Sequence, residues 1–190
     1  MTLARRFVVV SGLPGSGKTT VARVLAPLMN LPLFDKDEFL ERLFESKGVG
    51  DSRHRRELSR ESDALLQAAV SSSNGAVVTS FWRVLGMPVE SGTPTEWLRV
   101  LSHAIVNVHC ECPPGLAASR FVGRRRHPGH LDETRSRTEV LASICEIPSH
   151  QGVNVGELVV VPTQDRVDPA MLLHEVEAAF VRRLPRPETE

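Results

Sequence analysis

Eight residues near the start of the chain constrain it most: Gly12-Leu13-Pro14-Gly15-Ser16-Gly17-Lys18-Thr19. They read G-x-x-x-x-G-K-T, the phosphate-binding P-loop pattern. Each residue type has a physical task. Gly12, Gly15 and Gly17 permit positive φ and leave no Cβ between the backbone and a ligand. The loop can then turn its N–H groups inward as an anion-binding nest. Lys18 brings a point charge to β- and γ-phosphates, and Thr19 brings a hydroxyl to Mg²⁺. Ser16 and Thr20 are counted with them as nucleotide-binding residues. A helix beginning at Gly17 or Lys18 would add the positive end of its dipole.

The pattern is specific only between a strand and a helix, and both flanks fit. Phe7-Val8-Val9-Val10 is a short apolar run suited to a buried parallel strand. Thr20 to Met29 carries Val21, Val24, Leu25 and Leu28 at helical spacing. Of 23 basic residues only Lys18, Lys36 and Lys47 are lysines, so a lysine at the motif's one lysine position is not background.

Further apolar runs predict strands at Leu31 to Phe34, Ala76 to Thr79, Ile105 to His109 and Leu158 to Val161. Helices are predicted at 18–29, 37–46, 54–72, 94–103, 114–125, 134–145 and 169–183, with Pro27 ending or bending the first. This alternation predicts an α/β fold, a parallel sheet covered by helices on both faces. Segments 47–53, 84–93 and 126–132 read as irregular, and long irregular pieces in a compact domain are often functional. Residues 1–184 read as one domain and 185–190 as a flexible tail.

Bulk properties narrow the partners. Formal net charge is zero, which argues against nucleic acid or an acidic membrane as a partner. No run approaches the length of a membrane span, and the apolar N-terminal run is too short for a signal peptide. Three cysteines, Cys110, Cys112 and Cys145, predict reduced thiols and a cytoplasmic protein. A monomer or homodimer is expected.

Ligands of open parallel sheets sit at the carboxyl ends of the strands. After the second strand stand Asp35 and Asp37. Asp35 with Glu38 three residues on resembles a capping box, so capping is assigned mainly to Asp35. Asp37 is assigned mainly to chemistry, as the carboxylate that takes a proton from an attacking hydroxyl.

A P-loop reading G-L-P-G-S-G-K-T-T, followed by F-D-K-D-E-F, resembles the small P-loop kinases. That group includes chloramphenicol phosphotransferase, gluconate and shikimate kinases, zeta toxins and the kinase domain of polynucleotide kinase. The resemblance is specific over residues 7–40 and weaker to about 137. It implies a three-layer P-loop NTPase fold with strand order 2-3-1-4-5 and an arginine-rich lid at about 120–137. It also implies an ATP- and Mg²⁺-dependent transfer of the γ-phosphate to a hydroxyl of a small molecule, with Asp37 as general base. A polynucleotide end kinase and a non-kinase ATP-binding switch are the alternatives.

The lid arginines Arg120 and Arg124, four apart on one predicted helix, would clamp the transferred phosphoryl group. Gln164, beside Thr163 after the fifth strand, stands where the family contacts adenine. Asp35, Trp82 and Arg53 are the candidate acceptor contacts, with Arg56 beside them; core packing is the alternative for Phe81 and Trp82. His127 and His130 read as part of a turn rather than a metal site. The chain departs from the wider pattern after strand three. Ser80 stands where many P-loop proteins place an Asp that organises the Mg²⁺ shell, leaving Thr19 as the one assigned metal ligand and Asp35 or Asp37 to supply a carboxylate through water.

Overall fold

A computed structural model describes residues 5–101, 104–132, 135–148 and 153–183. Five strands form one parallel sheet in the order β2-β3-β1-β4-β5. They are β1 (Arg6–Gly12), β2 (Leu33–Asp35), β3 (Gly75–Thr79), β4 (Ala104–Glu111) and β5 (Glu157–Pro162). The helices are α1 (Lys18–Leu28), α2 (Lys36–Lys47), α3 (Ser52–Ser72), α4 (Pro114–Gly123), α5 (Arg137–Cys145) and α6 (Pro169–Arg183). The fold is the expected three-layer P-loop arrangement.

Strand alternation sorts the core into two faces. Val8 and Val10 of β1 join Ala22 and Leu25 of α1 and Val176 of α6 in one buried cluster. Phe7 and Val9 point the other way, into a cluster with Leu66 and Val70 of α3. Both faces of β1 are therefore apolar, which is why its sequence is a run rather than an alternation. On edge strand β5, Val159 and Val161 are buried while Leu158 and Val160 are half exposed.

Four sequence expectations shift. The second strand lies at Leu33–Asp35, because Pro32 has no N–H to donate and serves instead as acceptor for Val77 N at 2.9 Å. This shift puts Asp35 into the sheet. The helix expected at 94–103 is a 3₁₀ stretch, Glu96–Val100, where Leu98 is buried and Val100 is exposed, so no apolar face supports a longer helix. Helix α4 ends at Gly123, two residues early. Helix α5 starts at Arg137 on a Ser136–Glu139 capping box. Residues 102–103 and 134, placed in predicted helices, and the predicted tail at 185–190 lie outside the described residues. Among the described residues no helix is long and apolar enough to cross a membrane.

The P-loop is wedged between β1 and α4. Gly15 has φ of +80°, and a Cβ there would overlap the carbonyl oxygen of Ala117 on α4. Leu13 packs beside Ala117, Ala118 and Phe121, so α4 braces the loop from outside. Gly15→Ala is therefore expected to lower unfolding free energy by about 1–3 kcal/mol, read as a shifted urea midpoint with unchanged slope.

Candidate active site

A cavity of about 980 Å³ opens over the carboxyl ends of β1, β2 and β3, walled by the P-loop, α2, α4 and the segment after α4. Eight cationic side chains line it against four carboxylates, in a chain whose formal net charge is zero. The fold has thus gathered positive charge at one place.

Lys18 folds back over its own loop. Its Nζ donates to Gly12 O at 3.0 Å and Leu13 O at 2.8 Å. Burial lowers its pKa to about 8, against partial support from Asp37 and Asp35 and with Arg124 pushing the same way as burial. Cys110 offers no counter-charge at neutral pH, since burial pushes its thiol up to about 12. The loop is held from below by the Thr163 hydroxyl, 2.7 Å from Ser16 O and 2.9 Å from Glu111 O. The buried Ser16 Oγ has no hydrogen-bond partner among the described residues. Gly15, Gly17, Thr19 and Thr20 line the cavity, whereas Gly12 and Ser16 lie beneath it as the loop's packed underside.

The two aspartates separate into different settings. Asp35 is buried, and its two oxygens are used differently. Oδ1 accepts from Asp37 N at 3.0 Å as the N-cap of α2, and Oδ2 accepts from the Thr19 hydroxyl at 3.0 Å. The cap bond goes to Asp37 and not to Glu38, so the expected capping box does not form. Burial raises the Asp35 pKa to about 6, and neighbouring Asp37 adds to the rise. Asp37 is half exposed and faces the cavity, ion-paired with Arg126. Among the described residues no group of three His, Cys, Asp or Glu could hold a metal. Thr19 and Asp35 are hard oxygen donors, and Mg²⁺ is commonly held by one or two such groups plus substrate phosphates, so this donor set fits it.

The lid differs from expectation. Because α4 stops at Gly123 and Arg124 is extended (ψ 144°), Arg120 and Arg124 do not share a helix face. Arg120 donates to Thr163 O at 2.6 Å and Gln164 O at 2.8 Å, tying α4 to the end of β5. Arg124 stacks over Phe121, 4.3 Å from its centroid, and reaches Asp132 at 3.3 Å. Its Nε is buried without a partner among the described residues, and burial, then Arg126, lowers its pKa. Arg126, within the expected lid but behind Arg120 and Arg124 in it, bridges Asp37 and Asp132, the latter at 3.0 Å. The extended backbone carries the signal: alternate residues Arg124 and Arg126 turn toward Asp132, while Arg125 between them is exposed.

Below the lid, Arg55 of α3 holds its turn, donating to Gly129 O at 2.8 Å and His130 O at 3.0 Å. His127 Nδ1 accepts from Gly129 N, and His130 lies 3.0 Å from Glu41, so both histidines serve the turn. Arg53, the expected acceptor contact, is mostly exposed and pairs with Glu57 on the outer face of α3; Arg56 is exposed too. The inward face carries Arg55, Ser59 and Asp63, four residues apart and one step round from the buried stripe Leu58, Ser62, Leu66, Val70. A helical projection of 52–72 would have found it. Trp82 is also moved: it is 3% exposed, donates Nε1 to Val10 O at 2.9 Å, and borders only a cavity of about 20 Å³ under the P-loop. Its neighbour Phe81 and Ser80 line the large cavity. Gln164 is exposed, outside that lining.

A sequence profile described as an AAA domain matches residues 8–141. The chain belongs to the AAA-domain family. Among proteins of curated function, none matches it in sequence. Solved structures share the fold of this AAA-domain chain. A candidate kinase from Chloroflexus aurantiacus is 24% identical, with TM-score 0.74 over 93% of this chain and 98% of that one. A gluconokinase from Sinorhizobium meliloti is 18% identical, with TM-score 0.53 over 94% and 93%. A shikimate kinase from Bacteroides thetaiotaomicron is 17% identical, with TM-score 0.51 over 93% and 95%. At these identities the likeness establishes the fold of the small P-loop kinases.

The raised pKa of Asp35 has a definite sign for stability. Its charge costs the folded state most above about pH 6, and the cost disappears as pH falls toward the unfolded value of 3.8. Asp35→Asn keeps the cap acceptor and removes the charge. It is expected to stabilise the free protein by about 1–3 kcal/mol at pH 7.5 and by little at pH 4, measured by urea unfolding at both pH values.

Proposed function

We propose that this protein is a kinase that moves the γ-phosphate of ATP to a hydroxyl of a small molecule, with Mg²⁺. The observation that carries the reading is the excess of cationic side chains around a P-loop cavity, where burial lowers the pKa of both Lys18 and Arg124 despite the carboxylates near them. A polyphosphate supplies the missing anion. The fold shared with kinases supports the same reading.

Each residue then has a role. The first-turn N–H groups of α1 and the loop receive the phosphates, and Lys18 leaves the Gly12 and Leu13 carbonyls to bridge β and γ. Thr19 and Asp35, joined by their hydrogen bond, are the residues that would hold Mg²⁺. Bound there, the ion would supply neutralisation of phosphate charge. Asp37, on the cavity side of α2, takes the proton of the acceptor hydroxyl. The acceptor oxygen bonds to the γ-phosphorus, the bond from phosphorus to the β-bridging oxygen breaks, and ADP leaves with that electron pair. Arg126 and Arg124 turn from Asp37 and Asp132 to the transferring phosphoryl group. Arg120 is a lid fastener in this reading, and Gln164 O marks the neighbouring adenine end.

The acceptor lies between α2, α3 and the lid turn, where Asp37, Glu41, Ser59 and His130 line the cavity. The zero formal net charge of the chain supports a small acceptor over a nucleic-acid end. The experiment is a screen of hydroxylated metabolites and antibiotics for acceptor-dependent ADP release. With the acceptor found, Asp37→Asn is expected to cost about 10²–10⁴-fold in kcat with ATP affinity kept. Lys18→Ala is expected to abolish turnover. Phosphorylation near the wild-type rate in Lys18→Ala would overturn the reading, as would turnover stimulated only by a protein partner.

A further inference from the structure

The strand-end carboxylate missing at Ser80 has a counterpart brought in from elsewhere. The loop 84–93 returns to the sheet at its last residue. Thr93 N donates to Phe81 O and Arg83 N donates to Thr93 O, both at 2.8 Å, clasping Thr93 to the extension of β3. Gly92 makes the return possible: φ is +73°, and a Cβ would sit 2.8 Å from Arg83 N. Thr93 is 1% exposed, and its hydroxyl stands between Ser80 Oγ at 2.5 Å and Asp63 Oδ1 at 2.7 Å. Asp63, from α3, is paired at 2.8 Å with Lys36, whose Nζ also meets Ser59 Oγ at 3.1 Å.

The protons in this chain have one arrangement. A carboxylate paired with an ammonium only accepts, so Thr93 gives its single hydroxyl proton to Asp63. Thr93 must then accept from Ser80, and the Ser80 proton is spent. What Ser80 presents to the cavity it lines is lone pairs alone, made more basic by the carboxylate two hydrogen bonds away. Such a group receives a donor. A water bound to a divalent cation is a strong donor, and Ser80 directly follows β3, the strand next to β1 and its P-loop.

We propose that Asp63 acts through Thr93 to fix Ser80 as an acceptor for a metal-bound water, replacing the carboxylate that other P-loop proteins carry at this strand end. Ser80, Thr93 and Asp63 are positioning residues for the Mg²⁺ shell. The proposal rests on the nucleotide–Mg²⁺ reading above.

The test uses the full chain, Mn²⁺ and a β,γ-imido analogue of ATP, with Mn²⁺ affinity read by electron paramagnetic resonance. Metal-free binding of the analogue is read separately. Thr93→Val and Ser80→Ala are each expected to weaken Mn²⁺ binding to the nucleotide complex by roughly 10-fold, the low end for outer-shell partners. Metal-free analogue binding stays unchanged, the double variant is no worse than either single one, and Thr93→Ser restores wild-type Mn²⁺ affinity. Unchanged Mn²⁺ affinity in the folded single variants overturns the relay, as do additive losses. A raised acceptor KM with unchanged metal affinity also overturns it, placing Ser80 on the acceptor instead. If the wild-type chain binds no analogue with or without Mn²⁺, the nucleotide reading itself fails and the relay fails with it.

Discussion

A hydrogen bond of 3.0 Å from Thr19 to Asp35 joins the first turn of α1 to the end of β2. The site is built around that joint. The P-loop alone is a cradle hanging from β1. Asp35 fixes where the second strand ends relative to it, and its other oxygen starts α2 by capping Asp37 N. Two residues of the same short segment therefore have separate duties. The buried carboxylate steadies the loop and the helix, and the exposed one faces the cavity. The cost of the joint is a charge held out of water, expressed in the raised pKa of Asp35. A divalent cation beside Thr19 would relieve that cost.

The opposing wall solves the complementary problem of storing cations. Arg124 and Arg126 share Asp132, and Arg126 also takes Asp37. These pairs hold the arginines at the wall of the P-loop cavity. The lid turn itself is fastened, with Gly129 against Phe44 and both carbonyls of Gly129 and His130 held by Arg55. Backbone carbonyls thus anchor the turn, whereas carboxylates anchor the side chains of Arg124 and Arg126. Arg120, pinned to two carbonyls after β5, holds the far end of α4.

Much of this was legible in the sequence, and the failures have common causes. The P-loop, the five strands and the order of helices followed from apolar runs and glycines, because each is a local signal. The cap at Asp35 also followed, since a cap needs only its own helix, although the box with Glu38 does not form. Arg120 and Arg124 were read as one helix face because the helix was carried two residues too far; extended backbone at Arg124 undid the spacing. Arg53 faces outward for the same kind of reason, a rotation about α3 that puts Arg55 and Ser59 on the inner side instead. Trp82 was ambiguous by nature, since a strand-end aromatic can turn to either side. Asp63 left no local trace at all: its tie to Ser80 is made through Thr93, thirteen residues beyond Ser80, and only the folded loop brings the three together.

The central claim is that an anion-starved cradle at Lys18 awaits a polyphosphate. Calorimetric titration of ATP into the protein, in buffers of different ionisation enthalpy, measures it directly. Burial lowers the Lys18 pKa to about 8 in the free protein and a bound phosphate would raise it, so above neutral pH, where ATP is fully ionised, binding is expected to take up protons. Asp35, at about 6, and Cys110, at about 12, are silent in this window. Proton uptake is expected to grow as pH rises from 7 to 9. ATP binding with no proton uptake across that range would contradict it.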